Sequence, residues 1–119
     1  MFPYTRYFVL IAAATFVAFS LAVSAAPRVE TVLSNLDRPW SVAWVNDTTV
    51  LITERSGRLL RVDLKTREKQ IVRNVPAVTA QGQGGLLDVQ VTTIDSIPWV
   101  YLALSGVRED KTTGTELWR

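Results

Sequence analysis

A chain of 119 residues with thirteen basic and eleven acidic side chains carries a formal charge of +2, too balanced for an electrostatic footprint on nucleic acid. It contains neither cysteine nor histidine, which removes disulfide stapling, the commonest general base and the commonest transition-metal ligand from within it. Chemistry in these residues must use carboxylates, amides, hydroxyls or lysine.

In chain order, residues 1–25 read as a secretory signal peptide. Arg6 is the only charged side chain before Arg28, the apolar run Phe8 to Val23 follows, and Val23-Ser24-Ala25 places small residues at a cleavage position. The run is shorter than the roughly 20 residues of a membrane span, and no twin arginine precedes it. Cleavage after Ala25 leaves residues 26–119, with twelve basic against eleven acidic side chains and no stable membrane span. The expected destination is the periplasm or the exterior.

The mature part reads as short β-type runs divided by turn residues, with almost no helical periodicity. Ser41 to Asn46 and Thr49 to Glu54 are joined across Asn46-Asp47. Ser56-Gly57 turns into Leu59 to Asp63, and Leu64 to Thr66 into Lys69 to Val75. Four such strands make an antiparallel meander. The pattern then restarts with Leu86 to Thr92, Val100 to Ser105 and Glu116 to Arg119. A four-strand unit recurring every 40 to 50 residues or so is the period of a β-propeller blade. The expected fold is all-β: antiparallel four-stranded blades, blade 1 over about 38–75 and an incomplete blade 2 over about 86–119. A seven-strand sandwich is the competing architecture. Because the last strand runs to Arg119 without a closing turn, the pattern favours an incomplete propeller, whose open strand edges invite self-association.

The most informative stretch is Gly82-Gln83-Gly84-Gly85-Leu86-Leu87-Asp88-Val89. Glycines permit close backbone approach, and one amide offers both donors and an acceptor. Two readings of Gln83 stay open on spacing alone: a ligand contact, or the exposed tip of a tight connection. A phosphate loop is strongly disfavoured, since neither Gly-Lys-Ser/Thr nor a following helix is expected here. Asp88 reads first as an acceptor of neighbouring backbone hydrogen bonds and second as a catalytic carboxylate. Glu54-Arg55 suggests a local ion pair, or an arginine that pairs bidentately with a ligand carboxylate. Pro39-Trp40 suggests core packing or an inner rim. Asn46-Asp47-Thr48 fits both a turn and an N-glycosylation acceptor. Lys65, Arg67 and Lys69 read as a solvated face.

Three ordered segments then carry a resemblance. Residues 32–44, with Leu36-Asp37-Arg38-Pro39-Trp40 at their centre, resemble the opening of the pyrroloquinoline-quinone (PQQ)-dependent soluble aldose sugar dehydrogenases, the glucose/sorbosone dehydrogenase family. Leu51-Ile52-Thr53-Glu54-Arg55-Ser56-Gly57-Arg58-Leu59 is similar to that family's next strand pair. Val75-Pro76-Ala77-Val78 followed by Gln81 through Val89 is similar to its crossing from first to second blade.

The resemblance implies a six-bladed propeller in the periplasm, with PQQ at its axial end and calcium polarising the cofactor. It also implies oxidation of aldoses to lactones, with a histidine as base. One residue carries over: Gln83 stands where the family has a glutamine beside the cofactor. No catalytic residue and no metal ligand carries over, because those come from later blades. The family's His-Pro-Asp-Phe is replaced by Val91 through Pro98, which leaves the turn of the second blade and the role of Asp95 open. The expectation is an N-terminal part of an exported sugar dehydrogenase that is not catalytically competent by itself. The alternative is a non-enzymatic exported binding or interaction module, or a degraded reading frame.

Overall fold

Seven β-strands, and no helix, form among residues 26–119, which are the residues described by the computed structural model. Met1–Glu30 and Thr31–Arg119 are separate units. Of the first, residues 26–30 are described, and they are exposed without regular structure. The signal peptide expected over 1–25 lies outside the described residues. Within those residues no helix is long and apolar enough to cross a membrane.

The second unit holds two antiparallel sheets. β1 (Pro39–Asn46), β2 (Thr49–Glu54), β3 (Arg58–Asp63) and β4 (Lys69–Ile71) form a meander in sequence order. β5 (Leu86–Ile94), β6 (Ile97–Val107) and β7 (Thr113–Trp118) form a second one. Every residue of β2 is buried. Its sequence Thr-Val-Leu-Ile-Thr-Glu is therefore apolar or internally paired on both faces instead of alternating, as a strand covered on both sides must be.

Two clusters fill these faces. Leu51 and Leu59 of the first sheet meet Leu86, Val89, Leu102 and Leu104 of the second, and this contact joins the sheets. On the reverse face of the first sheet Val50, Ile52, Leu60 and Val62 pack together, covered in part by Leu33, Leu36 and Leu64. Each fully buried Leu or Val of this kind contributes about 1.5–3 kcal/mol.

The turns follow local chemistry. In the β1–β2 hairpin Asn46 pairs with Thr49, so the two-residue loop is Asp47-Thr48, one position beyond the sequence expectation. Its side-chain Oδ1 accepts the Thr48 amide at 3.0 Å, an Asx turn that uses the asparagine as a turn residue. Glu54 pairs with Arg58 around a three-residue loop closed by Gly57 at φ 109°. Asp63 Oδ1 accepts the amides of Thr66 and Lys65, at 3.0 and 2.8 Å. These two bonds hold its carboxyl below the ordinary value of 3.8.

The expected extents of four strands are corrected. β4 ends at Ile71 instead of reaching Val75. The Val72 amide still bonds Leu59 O, but Asn74 then takes φ 60° ahead of Pro76, and a proline disfavours continued pairing. β5 and β6 are longer than expected and close on a two-residue turn, Asp95-Ser96, with φ values of 50° and 65°. Positive φ at both positions is the type I′ hairpin geometry. β7 starts at Thr113, three residues before the expected strand.

Candidate cofactor-binding site

The loop between the sheets is built around one tight turn. The Gly84 amide donates to Gln81 O at 2.7 Å, which places Gly82 and Gln83 at the two central positions. Gly82 has φ 52° and Gln83 does not share it, as expected for a type II′ turn with glycine first. Gln83 therefore stands exposed at the tip, and its amide makes no hydrogen bond among the described residues. A Cβ on Gly82 would meet nothing within 4 Å, so the tip opens onto free space.

The base of the loop is the opposite. Gly85 is buried with φ 143°, and a Cβ there would lie 2.2 Å from Arg55 O. The Leu86 amide bonds that carbonyl at 3.2 Å, Ser105 N bonds Gly85 O at 2.9 Å, and Thr79 N bonds Ser105 O at 2.8 Å. From the side, the Arg55 guanidinium donates through Nε to Gly84 O at 2.9 Å and through a terminal nitrogen to Gly82 O. The turn that carries Gln83 is thus tied to both sheets while its tip stays free.

The local ion pair expected of Arg55 is corrected by this arrangement. Among the described residues no carboxylate pairs with it, and two of its five N–H groups bond loop carbonyls instead. The ion pair belongs to its neighbours. Glu54, only 1% exposed, lies 2.5 Å from Arg58 Nε through Oε2, and its Oε1 accepts the Asp37 amide at 2.7 Å. The Arg58 N–H is not aligned on Oε2, so that oxygen has a charge partner but no hydrogen bond. Glu54 ties the 31–38 segment to the β2–β3 turn, a structural duty.

Asp88 also has a structural place. β5 carries a bulge between Leu86 and Val89, and bulges re-aim side chains. Asp88 Oδ1 accepts the Val89 amide at 2.9 Å and the Ser41 hydroxyl at 2.5 Å. Beside it the fully buried Thr53 hydroxyl accepts the Ser41 amide at 3.0 Å and donates to Leu87 O at 2.6 Å. Ser41, Thr53 and Asp88 so form a polar pin between the sheets. The backbone bond expected of Asp88 is present, whereas the link across 47 residues to Ser41 was not legible in the sequence.

Trp40 is the extra residue of a bulge in β1, and at 51% exposure it does not belong to the core. Asp95 sits exposed in the β5–β6 turn. Among the described residues no cluster of three His, Cys, Asp or Glu side chains is placed to hold a metal ion. What the site offers chemically is one unpaired amide on a fixed turn. Such an amide can donate two hydrogen bonds and accept at its oxygen.

Against known proteins, residues 36–119 match the family model described as Glucose / Sorbosone dehydrogenase, and the chain belongs to that family. It is 36% identical over 104 residues to the aldose sugar dehydrogenase YliI of Escherichia coli, covering 83% of this chain and 28% of that protein. It is 32% identical over 90 residues to quinoprotein glucose dehydrogenase B of Acinetobacter calcoaceticus, covering 72% of this chain and 19% of that one. Among solved structures, the soluble aldose sugar dehydrogenase of E. coli in its apo form superposes with a TM-score of 0.68 at 35% identity, over 76% of this chain and 26% of that one. The PQQ-bound aldose sugar dehydrogenase of Streptomyces coelicolor gives 0.50 at 28% identity, over 76% and 31%. The chain thus spans between 19% and 31% of the length of these relatives. Its four- and three-stranded sheets are partial blades of the propeller fold of these sugar dehydrogenases, as the recurring strand pattern predicts.

Proposed function

We propose that these residues supply one wall of the cofactor pocket of an exported, PQQ-dependent aldose dehydrogenase, with Gln83 as the cofactor contact. The observation that carries the reading is the unpaired Gln83 amide on a turn whose base is locked and whose tip is open. The relatives, an aldose sugar dehydrogenase and a quinoprotein glucose dehydrogenase, support it. So does the PQQ-bound neighbour.

The residues present fit one edge of PQQ, a planar group rimmed with quinone carbonyls and carboxylates. When bound, PQQ supplies the hydride acceptor for oxidation of the anomeric carbon to a lactone. The chain's own part is to bind and orient. Gln83 would donate to an oxygen of the cofactor, and the Arg55-tied turn would fix where that donor lies. With no histidine in the chain, the base for the sugar hydroxyl comes in this reading from other blades, as do the ligands of the calcium. Blade 1 over about 38–75, blade 2 over about 86–119, a signal peptide over 1–25 and a periplasmic or secreted destination belong to the same proposal.

Replacing Gln83 by alanine in a polypeptide that completes the propeller tests it. Losing a hydrogen bond to a charged group costs about 1.5–3 kcal/mol, a loss of PQQ affinity of about 10- to 150-fold. Fluorescence titration of PQQ reads this directly. Unaltered affinity removes Gln83 from the pocket.

A further inference from the structure

We infer that Arg55 is the positioning residue of the cofactor loop: its guanidinium holds the carbonyls of the two residues that flank Gln83, Gly82 and Gly84, and so sets the direction in which the amide is presented. The inference rests on the reading of Gln83 as a cofactor contact, but its structural half stands apart from it.

Geometry carries the assignment. Arg55 belongs to the β2–β3 turn of the first sheet, while the loop leads into β5 of the second. The two bonded carbonyls, Gly82 O and Gly84 O, bracket Gln83, from 27 and 29 residues away. A planar guanidinium with donors in a fixed fork can take both at once, and charge-assisted bonds of this type are about twice as strong as neutral ones. A lysine ammonium is a compact point charge without that fork. The same residue's backbone carbonyl accepts the Leu86 amide at 3.2 Å, so main chain and side chain of Arg55 secure the loop at separate points.

Within the turn itself, one backbone bond, Gly84 to Gln81, opposes rotation of the tip. Gly82 has open space on its Cβ side and imposes no steric stop. Without the guanidinium that single bond is what restrains the tip, and a donor that samples more directions binds more weakly because ordering it opposes binding. Arg55 thus acts on the cofactor through Gln83 and not by touching it.

The test has two arms, and Arg55→Lys is the main variant because it keeps the charge. In the 119-residue chain without cofactor, amide hydrogen exchange at Gly84 should accelerate by about tenfold or more in Arg55→Lys, while the strand amides of β2 and β5 keep their protection. Unchanged exchange at Gly84 overturns the clamp. General loss of protection also overturns it, by showing that Arg55 holds the fold and not the loop.

In the second arm, PQQ affinity is measured in the completed propeller for Arg55→Lys, Gln83→Ala and the double variant. The expected result is a loss of about fivefold or more for Arg55→Lys when Gln83 is present, and less than about twofold when it is alanine, the non-additivity of residues acting as a unit. Equal losses in both backgrounds overturn the positioning role. If Gln83→Ala alone leaves affinity unaltered, the reading of Gln83 falls and the cofactor half of the inference falls with it, while the exchange arm still decides the clamp.

Discussion

Gly85 is the most tightly enclosed glycine among the described residues. Its φ of 143° lies outside what L side chains adopt, and an added Cβ would sit 2.2 Å from Arg55 O and 2.7 Å from Arg55 Cγ. Backbone cannot yield there, because Leu86 N and Ser105 N are both bonded beside it. Gly85→Ala should therefore destabilise the fold by about 3 kcal/mol or more, combining backbone strain with overpacking. Urea unfolding monitored by tryptophan fluorescence checks it, and a loss below about 1 kcal/mol contradicts the packing described. The glycine cluster was visible in the sequence as a place of close approach. That it approaches Arg55 was not visible, since the two are 30 positions apart and no local pattern links a strand-end arginine to a distant loop.

At the scale of elements, the strand runs and their turns were legible because period-2 patterning and turn residues are local signals. The ends of β4, β5, β6 and β7 were not, since pairing with a neighbour decides how far a strand continues. The β5–β6 hairpin offers a direct test. Asp95 and Ser96 hold φ values of 50° and 65°, where glycine is favoured at the second position. Ser96→Gly should stabilise the chain by about 0.5–1 kcal/mol, relieving left-handed strain in excess of the added chain entropy. For a domain of this size that raises Tm by about 2–8 °C. An unchanged or lower Tm would show that the turn is not under that strain.

For the molecule as a whole, the exposed apolar surface is concentrated on sheet faces and edges. Val42 and Trp44 of β1 are 60% and 61% exposed, and Leu117 of β7 is 74% exposed. Val42 and Trp44 pair with the buried Ile52 and Val50, so they extend the reverse-face cluster into solvent. Surfaces and edges of this kind seek another sheet. The chain should self-associate as its concentration rises toward about 100 µM, and Trp44→Lys with Leu117→Lys should shift it toward monomer by placing charge on face and edge. Sedimentation velocity measures both. A wild-type chain that stays monomeric throughout excludes association through these surfaces.

The sequence by itself determined the all-β character, the turns of the first sheet to within about one residue, the glycine loop and, through three ordered motifs, the family. Each of these is written in residues close together along the chain. Tertiary structure alone decided that Arg55 serves the loop, that Glu54 pairs with Arg58 and Asp37, and that Asp88 joins Thr53 and Ser41 in a pin between sheets. These choices depend on how two sheets pack. A polar side chain takes whichever partner the packed core brings within about 3 Å, and no local pattern encodes that. Gln83 stands between the two cases: the sequence placed it among glycines, and the fold left its amide free at the tip of a locked turn.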